Sequence, residues 1–79
     1  MELTLYFFQG CPYCARVRTF LSSENINVPM KDIHQTPAFR DELIKIGGKA
    51  QVPCLVIDGK ALYESSDIIA WLKENKNKL

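Results

Sequence analysis

The sequence predicts an α/β domain built on one four-stranded mixed sheet, with its elements in the order βαβαββα. Three observations carry this. Short apolar, strand-like runs at Leu3–Phe8, Val28–Asp32 and Cys54–Ile57 alternate with segments whose apolar residues recur at helical spacing. Asp58-Gly59 is a two-residue hairpin signal that joins the third run to a fourth at Lys60-Ala61-Leu62. A chain of 79 residues holds one core, so a single domain is expected over 1–79.

Each element has a local reason. Leu3–Phe8 combines apolar, aromatic and β-branched residues, as a central strand requires. Gly10 breaks it, and Pro12 opens a helix, because a missing N–H costs nothing at the first helical position. Cys14, Val17, Phe20 and Leu21 form that helix's inward stripe, which predicts a helix over 12–23. Thr36-Pro37 starts a second helix with Thr as N-cap; Phe39, Leu43 and Ile46 are its expected buried face, and Gly47-Gly48 ends it. Ser65 or Ser66 is the expected cap of the last helix, whose buried face is expected to carry Ile68, Trp71 and Leu72. Parallel pairing of the first two strands follows from a right-handed βαβ crossover.

Composition narrows the function. Ten Lys+Arg stand against nine Asp+Glu, a net charge of +1, so nothing calls for nucleic acid or an anionic membrane as partner. The basic residues are scattered apart from Lys73, Lys76 and Lys78, read as a solvated tail. No run reaches the ~18 apolar residues of a membrane span, and Met1-Glu2 with its brief apolar stretch does not make a secretory signal. A cytoplasmic monomer is expected. In that compartment thiols stay reduced, so the pair at C-x-x-C spacing suits catalysis or metal binding better than a structural staple.

The chemistry centres on Cys11-Pro12-Tyr13-Cys14. Residues i and i+3 of a helix lie ~5–6 Å apart, close to what a disulfide needs. Cys11 sits where free N–H groups and the positive end of the helix dipole stabilise an anion, which favours its thiolate. Cys14, one turn inward, is expected to stay protonated. Cys11 therefore attacks and Cys14 resolves the mixed disulfide. A zinc site would need about four ligands, with Cys54 and the lone His34 recruited, but neither has paired spacing. A structural Cys11–Cys14 disulfide would close a tiny loop and stabilise little. His34 is read as a surface residue in a polar loop.

Two further features bear on a ligand. Pro53 stands at the start of a buried strand, and a cis Val52-Pro53 bond would turn the Val52 N–H and C=O towards the Cys11 sulfur. There an extended thiol peptide could pair as a short extra strand; the alternative is a plain trans proline in a loop. Glu64-Ser65-Ser66-Asp67 opens the last helix, where exposed N–H groups bind a carboxylate and Asp67 accepts from an ammonium group. Ordinary capping is the alternative there.

Together these features resemble glutaredoxin, within the thioredoxin-fold group that includes the N-terminal domains of glutathione transferases. The likeness covers nearly the whole chain. It implies a thioredoxin-like fold and reduction of protein disulfides or glutathione mixed disulfides. Glutathione would be the cosubstrate, with no tightly bound cofactor and no metal. It also implies that Val52 pairs with the cysteinyl part of glutathione, beside Pro53. Ser66 and Asp67 would hold the γ-glutamyl end, with Tyr13 flanking the sulfur. Glu64-Ser65 is closer to the transferase form of this site, where glutaredoxins more often carry glycines.

Phe8 departs from the family, which commonly has Lys or Arg there to bind a glutathione carboxylate; Arg40 or Lys49 could supply the charge. Cys54, after the proline, is read as a small buried hydrophobe. Two other functions remain open: a carrier reduced by a protein reductase, which Phe8 motivates, and an iron–sulfur carrier bridging two chains through Cys11, which Pro12 disfavours.

Overall fold

The computed structural model describes residues 1–79. The chain forms β1 (Leu3–Phe7), α1 (Pro12–Ser23), β2 (Met30–Asp32), α2 (Pro37–Gly47), β3 (Cys54–Ile57), β4 (Lys60–Tyr63) and α3 (Ser65–Glu74), with a 3-10 turn at Lys76–Lys78. The sheet order is β2-β1-β3-β4; β1 and β2 run parallel, and the other two pairings are antiparallel. This is the four-stranded mixed sheet and thioredoxin-like fold expected from the sequence.

The side-chain period of two along the strands divides the core. Leu5 and Leu55, partners in register, face one side and bury against Val17 and Leu21 of α1 and Ile68 and Leu72 of α3. Tyr6 and Cys54, the next pair, face the other side with Val56, Ile33 and Leu43 of α2. The Asp58-Gly59 turn takes φ values of +49° and +85°, which match the twist of a tight hairpin.

Several expectations need correction. Phe8 and Val28 lie just outside their strands, and pairing of β2 begins at Met30 after Pro29, whose carbonyl accepts from the Leu5 N–H at 2.9 Å. Thr36 is the N-cap of α2, but its side chain makes no capping bond. Ile46 is exposed rather than buried. The reason lies at Gly47, where an added Cβ would come within 1.9 Å of the Tyr63 hydroxyl and 3.0 Å of the Ala61 side chain. Helix α2 approaches β4 along the Leu43–Gly47 line, so Ile46 turns outward.

Neither Ser65 nor Ser66 caps α3. Glu64 does so at φ +74°, without a side-chain bond, and the two serines are the first helical residues. Trp71 is half-buried at the edge of the α1/α3 core. Lys76 is not merely solvated, since its ammonium pairs with Glu24.

Candidate functional site

The site grows from the turn between β1 and α1. Gly10, at φ +92°, supplies a conformation that other residues rarely adopt, and this brings Cys11 to the N-cap of α1. The Cys11 N–H donates to the Phe8 carbonyl at 3.4 Å, and the Cys14 N–H donates to the Cys11 sulfur at 3.3 Å. Cys11 thus accepts one of the N–H bonds that a helix start leaves free.

Cys14 points inward on the buried stripe with Val17 and Leu21. Burial first, and its interaction with the Cys11 side chain second, push its thiol up from 9.0 to about 12. Cys11 keeps 7% of its surface in solvent and Cys14 only 1%, so an incoming disulfide meets Cys11 first. All three cysteines are free thiols.

Phe7, Cys11 and Cys14 form one small apolar cluster, against which Phe8 and Val52 pack. The Val52–Pro53 peptide bond is cis. The Val52 N–H and C=O have no hydrogen-bond partner within the chain, so this short stretch is free to pair with an extended ligand.

Beside it opens a cleft of about 480 Å³ lined by Tyr13, Arg16, Gln51, Val52, Pro53, Glu64, Ser65 and Ser66. Six residues anticipated from the sequence therefore share one wall. Asp67 does not; it lies exposed on the first turn of α3. Arg16 and Gln51 were not anticipated. Arg16 shares a helix face with Tyr13 at i+3, a spacing that could have found it. Gln51 donates through its side-chain amide to the Glu64 carboxylate at 3.1 Å, and no local pattern announces that bond. A larger depression, about 760 Å³, lies at the other end of α1, around Glu24–Asn27 and Met1–Thr4, away from the thiols.

Arg40 and Lys49, which the sequence offered as a source of charge near Phe8, are not among the residues lining this cleft, and the Lys49 ammonium lies over the Tyr63 ring at 4.5 Å. The exposed His34 instead stacks on Phe8, with ring centroids 4.1 Å apart and planes 17° from parallel. Cys54 is fully buried, and burial pushes its thiol up to about 11. No three His, Cys, Asp or Glu side chains converge in a group that could hold a metal.

A two-thiol turn between the first strand and first helix of a βαβαββα sheet, beside a cis proline, defines the thioredoxin-like class. The family described as "Glutathione S-transferase, N-terminal domain" matches residues 5–78. Glutaredoxin 3 of Escherichia coli K12 is 33% identical over 69 residues, covering 87% of this chain and 83% of its own. Glutaredoxin 1 of Salmonella typhimurium is 37% identical over 75 residues, covering 86% of each.

Prostaglandin E synthase 2 of Danio rerio is 38% identical over 74 residues, but the match spans only 19% of that protein. Among solved structures, glutathione transferase Omega 3C from Trametes versicolor superposes with a TM-score of 0.83 at 26% identity, covering 99% of this chain and 35% of its own. The thioredoxin-like protein BC3987 gives 0.78 at 26% identity, with 92% and 97% covered. The chain belongs to the glutaredoxin family of thiol–disulfide oxidoreductases, whose fold is also that of the glutathione S-transferase N-terminal domain.

Proposed function

We propose that this protein reduces glutathione mixed disulfides and protein disulfides, with Cys11 as nucleophile, Cys14 as resolving thiol and glutathione as the reductant. The observation that carries this reading is the asymmetry of the pair. The sulfur of Cys11 accepts an N–H at the start of α1, whereas Cys14 is buried with its thiol raised to about 12.

In the first step the Cys11 thiolate attacks the glutathione sulfur of a mixed disulfide. The Cys11–glutathione bond forms, the old S–S bond breaks, and the released thiolate takes a proton from water. A second glutathione thiolate then attacks the glutathione sulfur on Cys11, which yields glutathione disulfide and restores Cys11. With a protein disulfide, Cys14 loses its proton and attacks Cys11 in the mixed disulfide, releasing the substrate's second thiol. The Cys11–Cys14 disulfide is then reduced by two glutathiones. Because Cys14 gives up its proton reluctantly, the one-thiol route dominates with glutathione mixed disulfides.

The unpaired Val52 backbone beside the thiols supports pairing with the cysteinyl part of glutathione, and the cleft of Tyr13, Pro53, Glu64, Ser65 and Ser66 supports holding its γ-glutamyl end. Asp67, outside that wall, would act from the rim. No helix is long and apolar enough to cross a membrane, and we take the protein to work in the cytoplasm as a monomer.

The test follows release of a peptide thiol from its glutathione mixed disulfide, coupled to glutathione, glutathione reductase and NADPH. Turnover that depends on glutathione supports the reading. Turnover only with a protein reductase moves the electron donor, and no turnover with either rejects the reading.

A further inference from the structure

Arg16 lines the cleft beside the thiols, but it also lines a second depression. A shallow groove of about 420 Å³ runs between α1 and α3, from Pro12, Ala15 and Arg16 to Thr19, Phe20 and Ile69. It begins at the residue after the nucleophile and shares Arg16 with the cleft, so the two are continuous. Its floor is apolar, because Phe20 and Ile69 pack from outside on the core that joins α1 to α3. From Pro12 to Phe20 the helix rises about 12 Å, which matches about four residues of extended chain.

Both ends of the groove carry an exposed cation. Arg16 stands at the end near the thiols, and at the far end the Lys73 ammonium lies over the Phe20 ring at 5.9 Å. Neither takes part in an ion pair, and no carboxylate lines the groove. On α3, Ser66, Ile69 and Lys73 share one stripe at helical spacing, while Asp67, Ala70 and Glu74 follow the next. The Glu64 carboxylate accepts from Gln51, and Arg18 lies over the Phe7 ring, outside the groove. A symmetric pairing of two copies would set these cations against each other, so a second copy of this chain does not fit.

We propose that this groove takes the stretch of a protein substrate next to its reactive cysteine, and that it selects stretches both acidic and apolar. One carboxylate meets Arg16 about two residues from that cysteine. An apolar side chain then rests on Phe20 and Ile69, and a second carboxylate reaches Lys73 about two residues further on. The inference rests on the disulfide chemistry proposed above and names the class of its protein substrates. In the step it assists, the Cys11 thiolate attacks the substrate sulfur and the substrate's S–S bond breaks. The released substrate thiolate takes a proton from water.

The test uses two peptides, each with one internal disulfide. In the first, acidic residues and leucine flank both cysteines; in the second, lysines replace the acids. Enzyme-dependent reduction is followed at low salt with glutathione, glutathione reductase and NADPH. The mixed disulfide of glutathione and 2-mercaptoethanol, too small to enter the groove, is the reference substrate. Wild type is compared with Lys73→Glu and with Thr19→Glu, both at exposed positions. The second sets a carboxylate three residues after Arg16, where it pairs with the guanidinium.

Wild type is expected to reduce the acidic peptide with a kcat/KM about two- to twentyfold above that for the lysine peptide. Added salt narrows the ratio. Either substitution lowers it by about two- to fivefold and leaves turnover of the reference substrate unchanged. Thr19→Glu decides alone should Lys73→Glu not fold by far-UV circular dichroism. Equal kcat/KM for the two peptides in wild type, or a ratio that neither variant changes, overturns the assignment while reference turnover upholds the disulfide chemistry. A wild-type dimer in sedimentation that either substitution dissolves gives the groove to a second copy and overturns the assignment too. If wild type turns over neither the reference nor the peptides, the disulfide chemistry fails and the inference with it.

Discussion

The backbone N–H of Cys14 points at the sulfur of Cys11 from 3.3 Å, so the resolving residue helps to position and polarise the attacking one. The same turn of helix carries the Cys14 side chain inward, where burial holds its proton. One local geometry thus separates the roles of two chemically identical groups, and it depends on the core that fixes α1 against the sheet.

Truncation in that core should be expensive. Leu55 and Ile68 are almost completely buried in the cluster that joins the sheet to α1 and α3. Leu55→Ala and Ile68→Ala should each cost about 2–5 kcal/mol, and Ile68→Val about 0.5–1.5 kcal/mol. Urea unfolding followed by far-UV circular dichroism measures this. A loss below about 0.5 kcal/mol for Leu55→Ala would show that the site tolerates collapse.

Gly47 makes the opposite test, by addition. An Ala Cβ there would meet the Tyr63 hydroxyl at 1.9 Å and the ring carbon bearing it at 2.9 Å. The hydroxyl donates to the Lys49 carbonyl, so the ring cannot move away without losing that bond. Although Ala is the better helix former, Gly47→Ala should destabilise by about 1–3 kcal/mol. Tyr63→Phe should recover part of that loss in the double variant, which thermal unfolding of the four proteins reads as non-additivity.

Glu64 occupies a backbone conformation, φ +74° and ψ 119°, that a side chain makes costly. Its exposed bond to Gln51 returns little. Glu64→Gly should therefore raise stability by about 0.5–1 kcal/mol. If Glu64 also holds the γ-glutamyl end, the same variant weakens glutathione binding, measured by KM in the coupled assay. A stable variant with unchanged KM would remove Glu64 from the binding set.

Buried thiols set an alkaline limit. The Cys54 thiol is raised by burial from 9.0 to about 11, so the folded state resists its ionisation while the unfolded state does not. Its stabilising effect is complete below pH 9 and is lost as pH rises from there to about 11. Cys14 adds the same trend up to about 12. The urea midpoint should fall between pH 8 and pH 10.5, and the fall should be smaller in Cys54→Ala. An equal fall in both proteins would show that Cys54 does not contribute.

Most of the sheet was legible from local signals. The apolar runs, Pro12 and Asp58-Gly59 report interactions within a few residues of themselves. The errors fall where the deciding partner is distant in sequence. Ile46 has the right spacing for burial, but Gly47 lets α2 press against Tyr63 and turns the helix. Ser65 and Ser66 are good caps, yet the sharp turn out of β4 places Glu64 at the cap.

In the site, Cys11 and Cys14 were readable because one helical turn defines their relation. Arg16 joined the cleft through a helix face already marked by Tyr13. The Gln51–Glu64 bond and the Phe8–His34 stack depend on loops that meet only in the folded chain, and no spacing encodes them.

The central claim is the division of labour between Cys11 and Cys14, and the most direct test is turnover of a glutathione mixed disulfide by wild type, Cys11→Ser and Cys14→Ser in the glutathione-coupled assay. The asymmetry predicts no turnover for Cys11→Ser and substantial turnover for Cys14→Ser, with glutathione trapped on Cys11 and visible by mass. Loss of activity in Cys14→Ser with activity kept in Cys11→Ser would contradict the account.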